Sequence, residues 1–132
     1  MRNLAILLAM ATVALSGCVG DSIARWQPKP PALAHNVYFA LNDNSQPARE
    51  KLVRDCYRYL SKHPGVTFFA AGTIVEEHAR EVNVRDWDVG LHVVFASKQH
   101  HDLYQKAADH LKFIEENKQN WKVVHVYDTY VQ

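Results

Sequence analysis

An α+β domain with two helices on one face of a four-stranded antiparallel sheet is what the sequence predicts. Three observations carry that prediction. Four stretches, 34–41, 66–75, 87–95 and 121–131, are rich in Val, Tyr and Phe, and most of them alternate with a period of two, as strands do. Two others, 46–62 and 98–117, repeat their apolar residues at three and four, as helices do. These elements come in the order strand, helix, strand, strand, helix, strand, which is that of the ferredoxin-like split βαβ arrangement, βαββαβ.

Each element has its own justification. Ala34–Leu41 offers His35, Val37, Phe39 and Leu41 to one side and Asn36, Tyr38 and Ala40 to the other, so it reads as a strand buried on both faces. Asn42-Asp43-Asn44 turns the chain, Ser45 stands at an N-cap position and Pro47 fits the first helical turn. The helix that follows to Lys62 carries one apolar stripe, Ala48, Leu52, Val53, Cys56, Tyr59 and Leu60. His63-Pro64-Gly65 ends it, because proline lacks a donor and glycine permits the turn. A second strand spans Val66–Val75, where Gly72 marks a bulge or a close backbone approach. Glu76–Asp86 is polar and charged and reads as a solvated excursion. In the third strand, Trp87–Phe95, the residues Val89, Leu91, Val93 and Phe95 oppose Asp88, Gly90, His92 and Val94. Ser97 caps one helix from Lys98 to Asn117, whose stripe of Leu103, Ala107, His110 or Leu111, and Ile114 puts His110 at the buried edge. Trp121–Val131 closes the sheet, with His125 and Tyr127 opposite Val124 and Val126.

Two helices cover only one face. The other, bearing Asn36, Tyr38, His92, Val94 and one set from the last strand, is larger and more apolar than a monomer leaves in water. Pairing two such faces in a symmetric homodimer hides it.

The 132 residues carry a formal charge of +1 with no Lys/Arg run, so nothing here favours a nucleic-acid partner. Residues 1–17 have the layout of a secretory leader: Arg2, then an apolar run from Leu4 to Leu15 that is short for a membrane span. Leu15-Ser16-Gly17-Cys18 resembles the bacterial lipoprotein processing box. That resemblance implies a thioether-linked lipid on Cys18 and a membrane anchor in the cell envelope. Val19, rather than aspartate, then directs the chain to the outer membrane facing the periplasm in a Gram-negative cell. The alternative is an ordinary secretory leader with an incidental cysteine. Residues 18–33, with Pro28, Pro30, Pro31 and Trp26, form a tether, and 34–132 form the domain. Cys56 has no intramolecular partner once Cys18 is lipidated, and reads as a core thiol.

Ala34-His35-Asn36-Val37-Tyr38-Phe39-Ala40-Leu41, His63-Pro64-Gly65-Val66, Trp87-Asp88 through Phe95, and Asp102-Leu103-Tyr104 with His110 together resemble the stress-responsive A/B barrel (Dabb) domain. The resemblance implies a ferredoxin-like subunit in a dimeric α+β barrel, with a pocket between helices and sheet. One plant branch of the family cyclises a linear polyketide there. By position, its tyrosine and histidine match Tyr104 and His110, and its first-strand histidine matches His35. In that role the histidine is the base and the tyrosine polarises the carbonyl, which suits proton removal beside a carbonyl. The rest of the implied pocket is Val37, Phe39 and Leu91 from the sheet, with Leu52, Val53 and Cys56 from the first helix. Many members read His-Pro-x-His where this chain has Ala107-Ala108-Asp109-His110, so its backbone is expected to be more helical there.

The sequence calls for no cofactor and no metal: adjacent His100 and His101 cannot share a helix face, and no ligand pair has a zinc spacing. Three functional readings stand. The first is a lipid-anchored dimer that binds a small apolar or aromatic molecule. The second is a cofactor-independent lyase, cyclase or isomerase using Tyr104 and His110 as an acid-base pair. The third is a structural or stress-protective dimer.

Overall fold

The computed structural model describes residues 29–131, so the leader, Cys18, Trp26 and most of the tether lie outside the described residues. The elements are β1 (Ala32–Leu41), α1 (Gln46–Leu60), β2 (Val66–Thr73), β3 (Val89–Phe95), α2 (Lys98–Gln105), α3 (Ala108–Asn117), a 3-10 turn (Lys118–Asn120) and β4 (Trp121–Val131). All neighbours in the sheet are antiparallel, in the order β2-β3-β1-β4. This is the ferredoxin-like βαββαβ fold, with all helices on one face. No helix among the described residues is long and apolar enough to cross a membrane.

Register assigns the faces. Val37 pairs with Leu91 on one side and Val126 on the other, and His35 pairs with Val93 and Asp128. The set Leu33, His35, Val37, Phe39 and Leu41 therefore lies beneath the helices, where it packs with Val89, Leu91, Val93 and Phe95. From α1, Leu52, Cys56, Tyr59 and Leu60 complete this core. Polar bonds lock α1 to α3: Lys51 Nζ reaches Asp55 (2.7 Å) and Asn117 Oδ1 (3.1 Å), and the Tyr59 hydroxyl donates to Glu116 (2.8 Å).

The third strand begins at Val89, not Trp87, although the Asp88 N–H still donates to the Phe39 carbonyl (2.7 Å) and the Asp88 carbonyl accepts from the Ile74 N–H (3.0 Å); the Asp88 carboxylate accepts the Leu41 N–H (2.8 Å) and pairs with Arg49 (2.8 Å). Arg49 also grips Glu76 (2.7 Å), so the exposed 76–86 excursion is pinned at its start, with Arg85 on the same carboxylate (3.2 Å). Gly72 marks neither a bulge nor a close approach: it pairs in register with Gly90, and open space surrounds the position of its missing Cβ. The irregularity in β2 lies between Val66 and Phe68 instead. Ser45 and Ser97 occupy the N-cap positions but make no capping bonds; the Ser97 hydroxyl pairs with His100 Nδ1 (2.9 Å). Gly65 is at φ +83°, the left-handed turn expected after His63-Pro64.

On the other face, Tyr38 sits among Trp87, His92 and Tyr127, with ring centroids 4.9, 5.7 and 6.0 Å away, and His92 Nδ1–H donates to Asn36 Oδ1 (2.8 Å). A hollow of about 440 Å³ lies there, walled by Asn36, Tyr38, His125, Tyr127 and the 82–87 segment with Trp87. No helix covers it among the described residues.

Candidate functional site

Tyr104, His110 and His35 meet under the second pair of helices. The Tyr104 ring lies 4.5 Å from His110 and 6.1 Å from His35, centroid to centroid, with Phe95 at 5.0 Å and His63 edge-on at 4.9 Å. All three site residues are buried: Tyr104 is 2% exposed, His35 4% and His110 8%.

That meeting depends on a break in the helix. Residues six apart on a straight α-helix stand about 240° round the axis from each other and cannot share a face. The helix expected from Lys98 to Asn117 is instead two, because Ala107 is extended (ψ 143°) and the chain restarts at Ala108. The Lys106 and Ala107 N–H groups tighten back onto Leu103 and Tyr104 carbonyls (3.1 Å each), and the Leu111 N–H opens α3 on Ala107 (3.0 Å). The Gln105 carbonyl is taken by the His110 ring, whose Nδ1 lies 3.2 Å away. A side chain has replaced a peptide donor, so the break persists although the His-Pro pair of many relatives is missing. The expectation of a more helical backbone here is therefore corrected.

The same bond defines the chemistry of His110. A carbonyl oxygen only accepts, so Nδ1 carries the proton and Nε2 is the basic atom of the neutral ring. Burial holds the His110 pKa below its ordinary value, only partly offset by the bond to Gln105, which keeps the ring in its basic form near neutral pH. Burial pushes the Tyr104 phenol up, so it stays protonated and can donate. A base and a neutral donor thus stand side by side. His35 is lowered too, first by burial, although its Nδ1–H bond to Asp128 Oδ1 (2.6 Å) works the other way.

Beside these groups lies a cavity of about 180 Å³. Val37, Phe39 and Leu91 wall it from the central sheet, Leu60 from α1, Phe113 and Ile114 from α3, and Val124 and Val126 from β4. His35, Tyr104, Gln105, His110 and Trp121 complete its lining. The Trp121 indole N–H is buried without a partner, and Trp121 also lines a smaller hollow under α1. A space of this size accepts a molecule of about benzene's dimensions.

Of the pocket residues expected from sequence, His35, Val37, Phe39 and Leu91 do line the cavity. Leu52, Val53 and Cys56 do not. α1 leans on β2 and α3, so its stripe fills the core: Cys56 is fully buried, Val53 packs against the core, and Leu52 faces the smaller hollow. Cys56 is a free core thiol, as its lack of a partner indicated. Sequence reasoning missed Asp128 and Trp121. Asp128 carried a signal, being the one acidic residue in the helix-facing series Val124, Val126, Asp128; the conformation of Trp121 carried none.

Comparison with known proteins places this geometry. No curated protein matches the chain. A dimeric ferredoxin-like protein of unknown function from Thermobifida fusca is 13% identical, with TM-score 0.66 over 78% of this chain and 93% of that one. A Dabb family protein with a ferredoxin-like fold from Mesorhizobium loti is 20% identical, with TM-score 0.64 over 77% and 98%. The hydroxynitrile lyase of Passiflora edulis is 16% identical, with TM-score 0.64 over 78% and 95%. At these identities the likeness is one of fold. Residues 33–131 match the stress responsive A/B barrel domain, and the chain is therefore a member of the Dabb family.

Proposed function

We propose that this Dabb domain binds a small, largely apolar molecule carrying a carbonyl-type oxygen, as a homodimer held at the bacterial envelope by lipid on Cys18. The observation that carries the reading is the cavity of about 180 Å³: apolar walls, with Tyr104, His110 and His35 grouped in its lining. Binding follows from two physical terms. Apolar burial supplies about 25 cal/mol per Å² of ligand surface removed from water. The Tyr104 hydroxyl offers a donor to an oxygen, and an unmet buried donor costs about 1–3 kcal/mol. Dimerisation would cover the aromatic face around Tyr38; two of the structural neighbours are described as dimeric.

The test is mass spectrometry of the full chain extracted natively from its own envelope, together with saturation-transfer NMR using benzaldehyde as the probe. A retained small apolar molecule, or benzaldehyde binding that weakens on Ile114→Trp, supports the reading. A chain that emerges empty and ignores the probe rejects it. Palmitate labelling abolished by Cys18→Ser checks the anchor, and sedimentation of the chain in detergent checks the dimer.

The contact between the Tyr104 and His110 rings at 4.5 Å favours a second reading, acid-base catalysis on a carbonyl compound. His110 Nε2 would take a proton from a substrate hydroxyl or from carbon beside a carbonyl, while Tyr104 donates to the oxygen that carries the charge. A hydroxynitrile lyase shares the fold, so mandelonitrile is a fair first substrate: the base takes its hydroxyl proton, the carbon-carbon bond breaks, and benzaldehyde and cyanide leave. Turnover undiminished in His110→Ala would sink this assignment.

A further inference from the structure

Sequence spacing shows no metal site, yet the fold assembles one from three elements. His35 on β1, His101 on α2 and Asp128 on β4 each bring a ligand atom to within 4.8 Å of the other two. They are 66 and 27 residues apart along the chain, so no local motif announces them. We propose that His35, His101 and Asp128 form a three-ligand site for a divalent cation of the zinc class, with a fourth position open to water or to a ligand's oxygen.

The donor set suits such an ion. Two imidazoles and one carboxylate, with one position left over, is the composition of catalytic zinc sites and also of open iron(II) sites. Bonds of about 2.0–2.1 Å in a tetrahedron hold ligand atoms roughly 3.3 Å apart. His35 Nδ1 and Asp128 Oδ1 are at 2.6 Å and already share a proton, which the ion would replace as they part slightly. The His101 and His35 rings lie 5.0 Å apart, and the His101 side chain moves inward to close the set.

The surroundings fit as well. Asp102 Oδ1 stands 3.4 Å from His101 Nδ1, and the Gln105 amide nitrogen 3.0 Å from its Nε2. The Gln105 amide donates to Nε2, so Nδ1 carries the ring proton toward Asp102; coordination through Nε2 exchanges the Gln105 contact for the ion and leaves Nδ1–H on the Asp102 carboxylate to orient the ring, the usual arrangement behind a metal-bound histidine. Lys98 does not compete for the ion, because its ammonium is engaged by Asp102 (2.6 Å). A surface hollow of about 270 Å³, lined by His101 and Asp128, gives solvent and cation a way in. His35 also lines the ligand cavity, so the ion would stand where the two spaces adjoin. The proposal does not depend on the cavity's occupant.

The experiment uses the full chain in detergent, stripped with a chelator and dialysed against Zn²⁺, with bound metal counted by elemental analysis. About one zinc per chain is expected, with affinity falling by more than about tenfold in Asp128→Asn and in His101→Gln. Both side chains reach the surface, and circular dichroism confirms that the variants fold. His125→Gln, on the other sheet face, is the control and should bind as the parent does. Co²⁺ in place of zinc should give the visible absorption of a four-coordinate ion, lost in Asp128→Asn. Failure of the parent to bind, or binding that survives in both ligand variants, or loss in His125→Gln alone, would overturn the assignment.

Discussion

Replacing Phe113 by alanine tests whether this side chain walls the cavity. Phe113 is 2% exposed, packs against Phe39 and Trp121 with centroids 6.2 and 5.9 Å away, and forms part of the cavity wall. Removing the ring opens roughly 80 Å³, which at about 24 cal/mol per Å³ is about 2 kcal/mol. The lost transfer free energy of the ring adds about 2 kcal/mol. The sum, about 4 kcal/mol, falls within the usual range of about 3–5 kcal/mol for Phe→Ala in a core. Urea denaturation at fixed protein concentration, followed by circular dichroism, measures it. For a domain of this size the midpoint temperature should drop by about 16 °C or more. The new void joins the existing one, so benzene at one hundred times its Kd should return about 2.7 kcal/mol to the variant. A loss below about 1.5 kcal/mol, or benzene acting no more strongly on the variant than on the parent, would mean that Phe113 does not wall the cavity.

Three further outcomes follow from other parts of the structure. Gly65→Ala forces an L-residue into positive φ at about 1–2 kcal/mol and drives its Cβ into the His100 side chain, whose own Cβ stands 2.5 Å away; because alanine would keep that Cβ, relief is sought in His100→Gly, where adding Gly65→Ala should cost less than it does in the parent, and equal costs in the two backgrounds would contradict this. Burial lifts the Cys56 thiol to about 12, so its thiolate fraction at pH 8 is about 10⁻⁴ against about 0.2 for an ordinary thiol; alkylation in the folded chain should be about three orders of magnitude slower than in urea, and rapid labelling would disprove its core placement. The His110 pKa is lowered in the folded chain, so as pH falls below about 6.5 the unfolded chain binds a proton that the folded one refuses, and stability declines until the folded pKa is passed. Between pH 7.5 and 5.5 this amounts to at most about 1.4 kcal/mol, and His110→Gln should remove it; an identical pH profile in the variant would refute the assignment.

Much of the fold was legible in the sequence because it rests on alternation and punctuation. The β1 alternation named the buried set from His35 to Leu41 correctly, and His63-Pro64-Gly65 located a turn that only positive φ could make. What escaped was set by single side chains acting on backbone. Residues 98–117 read as one helix because no proline or glycine interrupts them, and the bond from His110 to Gln105 has no counterpart in periodicity. Half of the site was visible: Tyr104, His110 and His35 were named in advance, whereas Asp128 and His101 joined them only when β4 and α2 were placed. The α1 residues were misassigned because an apolar stripe says that a face is buried, not whether it meets a cavity or a packed core.

The break between α2 and α3 bears on how the site behaves through a proton cycle. An imidazole and an imidazolium both donate from Nδ1, so the tie from His110 to the Gln105 carbonyl is kept in either form and is stronger in the charged one. Protons can load onto and leave Nε2 without the backbone between the two helices shifting. The joint that turns Tyr104 and His110 toward each other thus holds in both charge states, and the site can be recharged without being rebuilt.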